Sequence, residues 1–252
     1  MSTPKLPSKL AKEPLVDVIF ELRFTSHISG LSALLPGILF SKLAGIGNSE
    51  SLPISQLPQQ IREMDPNLQF SPLLRIVWGK FAILIGDRSV GIGCLMPYPG
   101  WSEFKAAIEA VVGIVHGATL IKSVERYSVK YVDFFETGDD ISRALSQFNI
   151  DIRIGDHVVR AENTVLRVEI ARAPFIHAVQ VMTIANIQSS PHGVRTGAIL
   201  DVDTLTVSPN IDVSSFVSAL PALLDDIHLA NKKMFFECLS EKGLTSLEPQ
   251  YE

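Results

Sequence analysis

Two aspartates two residues apart, Asp201 and Asp203, stand in the run Ile199-Leu-Asp-Val-Asp-Thr-Leu-Thr-Val207. The alternation predicts a strand, which turns both carboxylates to one side. Carboxylates so placed can hold Mg²⁺ or share acid–base work. They fit the wet face of an amphipathic strand equally well, and Thr204 and Thr206 carry the polar character on. His228 follows Asp225 and Asp226 on the last predicted helix and completes a candidate metal set of Asp201, Asp203 and His228. A helical metal site uses two histidines at i and i+4, and only one is present here. The six histidines are scattered, each reading as solvent-facing or hydrogen-bonded, so no cofactor is expected.

A second set is cationic. Arg23, Arg126, Lys130, Arg160, Arg167 and Arg172 fall on or beside predicted strands. Arg126, Lys130 and Arg167 are candidates for gripping an anionic group in a sheet–helix cleft. The alternative is that strand cations pair across the ladder with strand acids such as Glu21, Glu125, Asp133 and Glu169. The run Gly86-Asp-Arg-Ser-Val-Gly91-Ile-Gly93 has the glycine spacing of a phosphate loop. It lacks the Lys-Ser/Thr pair and lies between strands, so it reads as a hairpin turn followed by crowded sheet glycines. No GxSxG elbow, CxxC, HExxH or P-loop motif occurs, which leans the reading away from an enzyme.

The elements that must position these residues are read from period. Val16, Val18, Phe20, Leu22 and Phe24 alternate with Asp17, Ile19, Glu21 and Arg23, so residues 15–24 form a strand with one buried face. Leu31, Leu34, Leu35, Ile38 and Leu39 have helical spacing, with Pro36 splitting or kinking the helix. Residues 47–72 are Ser-, Pro-, Gln- and Asn-rich and predict a surface excursion with a short helix near Gln59–Met64. Leu73–Trp78, Phe81–Ile85 and Val90–Leu95 predict a meander joined by hairpin turns. A helix from Trp101 to about Gly117 and a strand from Val124 to Phe135 follow. Ile150–Val158, Val165–Ala171, His177–Ile187 and Ile199–Val207 predict further strands, with a loop at Ser189-Ser-Pro-His-Gly193. Asp212 is a candidate N-cap for a terminal helix, and Pro221 suits the first turn of a second one.

Helices grouped against such strands define an α+β architecture: curved antiparallel sheet with helices packed on one face. One domain over residues 1–252 is expected, with a flexible arm over 1–13 and two similar halves at about 14–148 and 149–252. Of the residues, 46% are apolar and 19% charged, a globular composition. The net charge of −5, from 22 basic and 27 acidic residues, gives no electrostatic footprint for nucleic acid. Asp17 and Glu21 interrupt any signal-peptide core, and Ile28–Ile46 is too broken to span a bilayer, so no membrane partner is expected. Cys94 and Cys238 read as small buried hydrophobes in a reducing compartment, the cytoplasm.

Several landmarks carry a resemblance across nearly the whole chain. They are Pro14-Leu-Val-Asp-Val-Ile-Phe-Glu-Leu-Arg-Phe24, Tyr98-Pro-Gly-Trp101, Val124-Glu-Arg-Tyr-Ser-Val-Lys-Tyr-Val-Asp133, Leu200-Asp-Val-Asp203, and His228 with Phe235-Phe-Glu237. In this order they resemble a sporadically distributed group of uncharacterised prokaryotic proteins of similar length. The resemblance implies no established catalytic residues. Its patchy distribution implies mobile genes, such as defence or toxin–antitoxin-like pairs. Three readings follow. The first is a non-enzymatic binding protein acting through a protein partner, with a homodimer compatible. The second is a binder of a small anionic ligand, a nucleotide or metabolite, through Arg126, Lys130 and Arg167. The third is a metal-dependent hydrolase using Asp201, Asp203 and His228.

Overall fold

The computed structural model describes residues 6–189, 193–207 and 210–251. Residues 1–5 of the predicted arm and residues 190–192 of the predicted loop lie outside the described residues. Helix accounts for 32% and strand for 41%, with helices packed against a large antiparallel sheet, the α+β class expected.

The chain opens with β1 (Lys9–Leu10), β2 (Leu15–Ser26), α1 (Leu31–Lys42) and β3 (Ile46–Ser51). A 3₁₀ turn (Pro53–Gln56), α2 (Gln59–Met64), β4 (Leu74–Trp78), β5 (Phe81–Ile85), β6 (Ser89–Cys94) and α3 (Trp101–Gly117) follow. Next come β7 (Ile121–Glu136), α4 (Ile141–Leu145), β8 (Arg153–Ile154), β9 (His157–Val158), β10 (Val165–Arg172) and β11 (Phe175–Ser189). The chain ends with β12 (Gly193–Thr206), β13 (Ile211–Asp212), α5 (Val213–Cys238), α6 (Glu241–Ser246) and β14 (Pro249–Gln250).

These elements divide into two compact units that interleave in sequence and do not follow the halves 14–148 and 149–252. The larger unit holds residues 17–129 and 205–228, the smaller one 1–16, 130–204 and 229–252.

In the larger unit, β2 buries Val18, Phe20, Leu22 and Phe24 on one face, as its alternation requires. β2, β6, β5, β4 and β3 lie side by side in that order. The meander registers run Ile85↔Val90 and Trp78↔Phe81, the second closed at Gly79, whose left-handed φ of 55° suits a two-residue turn. α3 turns Phe104, Ile108, Val111 and Val115 inward at i, i+4, i+7 and i+11.

The smaller unit carries β10, β11, β12 and the end of β7, in that order. Its core includes Phe135, Val181, Leu200, Val202, Met234 and Phe235. β12 lies so close to β7 that a Cβ on Gly197 would meet the Phe135 carbonyl oxygen at 2.2 Å, so only glycine fits there.

Several elements differ from expectation. α1 is one helix with Pro36 inside it, because Leu31, Leu35 and Leu39 bury a continuous stripe on both sides of the proline. α5 likewise runs unbroken through Pro221. Its start is the one expected: Asp212 Oδ2 accepts from the N–H groups of Ser214 (3.0 Å) and Ser215 (3.1 Å). β3 falls in the predicted excursion. Its residues are mostly exposed and without alternation, and main-chain pairing with β4 makes the strand. The predicted strand at Ile150–Val158 is only the two-residue hairpin β8–β9. The short helices α4 and α6 were not expected; Asp140 and Ser240 cap them.

α5 alone among the described helices has the length and apolarity of a membrane span. One stripe of it is buried in the protein, Phe216, Leu220, Leu224 and Ile227 in the larger unit and Met234 and Phe235 in the smaller, while Leu229 is exposed.

Candidate interaction surface

The smaller unit's sheet ends on β10. Branched and apolar residues at 166, 168 and 170 alternate with Arg167 and Glu169, a pattern that suits a half-buried strand. β10 pairs with β11 without a bulge, from Val165↔Met182 to Arg172↔Phe175. Among the described residues no strand pairs with its other side, and no further main-chain bond reaches it.

The direction of its main-chain groups follows from one bond. The Thr183 N–H donates to the Thr164 carbonyl at 3.1 Å in the same register. Hydrogen-bonded and non-hydrogen-bonded pairs alternate along an antiparallel ladder. The even-numbered residues of β10 therefore bond to β11, and Val165, Arg167, Glu169 and Ala171 aim their N–H and C=O groups outward. An exposed edge of this kind is a ready template for another strand.

The side chains of this edge divide by face. Arg167 and Glu169 share one face as an exposed ion pair at 3.2 Å. Leu166, Val168 and Ile170 share the other and line a cleft of about 800 Å³ with Val181 of β11 and Met234 and Phe236 of α5. Val168 is 42% exposed, high for a strand valine beside an apolar cleft. Lys233 and the Arg172–Glu237 ion pair (2.6 Å) add charge to the lining.

A buried polar network ties the helix to the strands behind the cleft. Asn231 Nδ2 on α5 donates to the Val202 carbonyl (2.8 Å) and to Thr204 Oγ1 (3.0 Å) on β12. Thr204 Oγ1 also contacts His177 Nδ1 on β11 at 2.8 Å. Thr204 Oγ1 thus accepts from Asn231 and joins it to the His177 imidazole in one buried chain. Burial, and then the Arg172 charge, hold the His177 pKa below its usual value. Burial also pushes the Cys238 thiol beside the cleft up to about 11. Elsewhere in this unit the Asp133 carboxyl is pushed up to about 8, by burial and then by Asp201.

The predicted site residues are dispersed. Arg126 pairs with Glu21 at 3.2 Å in the larger unit, where Arg23 bonds to the same carboxylate. Lys130 pairs with Asp201 at 3.1 Å in the smaller unit. Arg167 pairs with Glu169. β11 and β12 lie between the strands of Arg167 and Lys130, which are therefore about 14 Å apart and share no cleft. The His228 ring stacks on Trp101 in the larger unit, 4.0 Å between centroids, whereas Asp201 and Asp203 belong to the smaller. Among the described residues no three His, Cys, Asp or Glu side chains come together as a metal site.

The larger unit has a polar cleft of about 370 Å³ that includes His27, Arg62, Asp87 and Arg88. Arg62 pairs with Asp87 at 2.9 Å, and Arg88 with Glu125. The Arg23 and Arg88 guanidinium groups lie 4.5 and 4.9 Å from the Phe70 ring centroid, within cation–π range.

Sequence reasoning missed the apolar cleft. The alternation of Leu166, Val168 and Ile170 was readable, but the position of their strand at an edge was not, because strand order is non-local. Comparison of the sequence with known protein families and with curated proteins finds no match in either.

Proposed function

We propose that this chain is a non-enzymatic binding protein that acts through a protein partner, held at the β10 edge of the smaller unit. One observation carries the reading: an eight-residue unpaired edge runs beside an 800 Å³ apolar cleft. A strand laid on that edge gains main-chain hydrogen bonds, and its alternate side chains drop toward the cleft. Both cysteines are free, which supports a reducing, cytoplasmic setting. The test is native mass spectrometry of the protein purified gently from a host that expresses its genomic neighbours. A complex that disappears in Val168→Lys is the expected result. A single-chain mass under every condition would sink the reading.

A second reading, binding of a small anionic ligand, is favoured by Arg62, Arg88 and His27 around the polar cleft of the larger unit. Its arginines already face Asp87 and Glu125, so an anion has to compete with them. A thermal-shift screen with nucleotides and phosphorylated metabolites decides it: ligand well above its Kd raises Tm, and no shift with any of them removes the reading.

A further inference from the structure

Resting on the partner reading above, we infer that the occupant of the β10 edge is a second copy of this chain, paired antiparallel to itself about a twofold axis at Val168. The argument is one of register. The outward main-chain groups belong to residues 165, 167, 169 and 171. An antiparallel partner must set outward residues against outward residues. For two copies of β10, only registers whose paired residue numbers sum to an even value do so. A sum of 334 sets Arg167 against the second copy's Arg167. A sum of 338 sets Glu169 against Glu169. Like charges directly opposite one another destabilise a ladder.

The sum of 336 avoids both. Arg167 meets Glu169 of the second copy, and Glu169 meets Arg167, on the exposed face. Val165 pairs with Ala171 and Ala171 with Val165. Each of these four pairs exchanges two N–H···O bonds, giving about eight. On the cleft face, Leu166 meets Ile170, Ile170 meets Leu166, and the two Val168 side chains meet on the axis. The exposed valine is covered, and apolar residues face apolar residues throughout. Charge, hydrogen-bond direction and hydrophobic pattern select the same register. The pairing also closes an edge that would otherwise invite indiscriminate strand addition.

Sedimentation velocity on the purified chain, from about 1 to about 100 μM, tests this. A dimer is expected. Arg167→Glu and Glu169→Arg should each weaken it about tenfold or more, since each sets like charges opposite at two symmetric positions. The double variant Arg167→Glu/Glu169→Arg should restore the wild-type Kd. These side chains are exposed, and circular dichroism checks that each variant is folded. A wild type that stays monomeric to the top concentration, or a dimer whose Kd ignores all three variants, overturns the self-pairing. A monomer that binds a co-expressed neighbour, with the complex lost in Val168→Lys, overturns self-pairing and keeps the partner reading. A monomer that binds nothing overturns both.

Discussion

Replacing Thr204 with Val tests the network that holds α5 over β11 and β12. The shape of the side chain is nearly kept, so the change removes a hydroxyl without opening a cavity. Two contacts disappear, His177 Nδ1 at 2.8 Å and Asn231 Nδ2 at 3.0 Å. Asn231 keeps its bond to the Val202 carbonyl, so its loss is about 1 kcal/mol. His177 Nδ1 becomes a buried polar atom without its partner, a penalty of about 1–3 kcal/mol. The sum is about 2–4 kcal/mol of unfolding free energy, read as a lower urea midpoint at unchanged m-value.

The pH dependence supplies an independent arm. The folded His177 pKa is depressed, so the unfolded chain binds a proton that the folded chain refuses. Its contribution to stability is full above the ordinary histidine value and is lost as pH falls below about 6.5. Burial and the Arg172 charge set that depression and both remain with valine at 204, so variant and wild type should lose this contribution in parallel between about pH 7.5 and about pH 5.5. Asp133 titrates in both proteins and cancels in the difference. A variant within about 0.5 kcal/mol of wild type at neutral pH would refute the buried network as drawn.

Three further outcomes are expected. Asp133 has a raised folded pKa of about 8, so its protonated form is kept in the fold while the unfolded chain ionises near the ordinary value. The wild type should therefore lose stability as pH climbs from about 4 to about 8. Asp133→Asn should flatten this slope in Tm measured across pH, and an unchanged slope would count against it. Gly243→Ala sets a Cβ 2.1 Å from the Gln147 carbonyl oxygen, so α6 must shift at a cost of about 2 kcal/mol or more, measured by thermal denaturation. Burial raises the thiols of Cys94 and Cys238 to about 12 and about 11. Neither should react with a disulfide reagent at about pH 8 until denaturant is added, and fast native labelling of either would contradict this.

Local pattern made much of the fold readable. β2 and α3 each carry a period that burial then follows, β4 to β6 are apolar runs set off by turn residues, and Asp212 marks the start of α5 by a side-chain bond that needs only its neighbours. Where pattern and proline disagreed, at Pro36 and Pro221, buried leucines on both sides outweighed the missing N–H. β3 had no signal to read, since its residues are mostly exposed and only the backbone of β4 makes it a strand. The candidate surface was half visible. Val165–Ala171 reads as a strand with a charged and an apolar face. That the strand is an edge, and that Met234 and Phe236 meet it across a cleft, depends on contacts more than 60 residues apart. Arg126, Lys130 and Arg167 attract attention as cations, yet each sits beside a carboxylate: Glu169 is two residues from Arg167 on the same strand, whereas Glu21 and Asp201 reach Arg126 and Lys130 only through the fold.

The interleaving of the two units has a consequence for biosynthesis. Residues 17–129 reach the larger unit early in translation, but its remaining strand end and helix come from 205–228. The smaller unit needs the first 16 residues, a middle stretch and the last 24. Neither can be completed as a run of nascent chain, and β1 must wait for β14, made about 240 residues later, before the two can pair. A stop codon after Asn231 would remove Met234, Phe235, Leu239 and Leu247 from the core of the smaller unit, and α6 and β14 with them. Late truncations should therefore send the whole chain to proteolysis, whereas in a protein built from consecutive domains the earlier domain would survive.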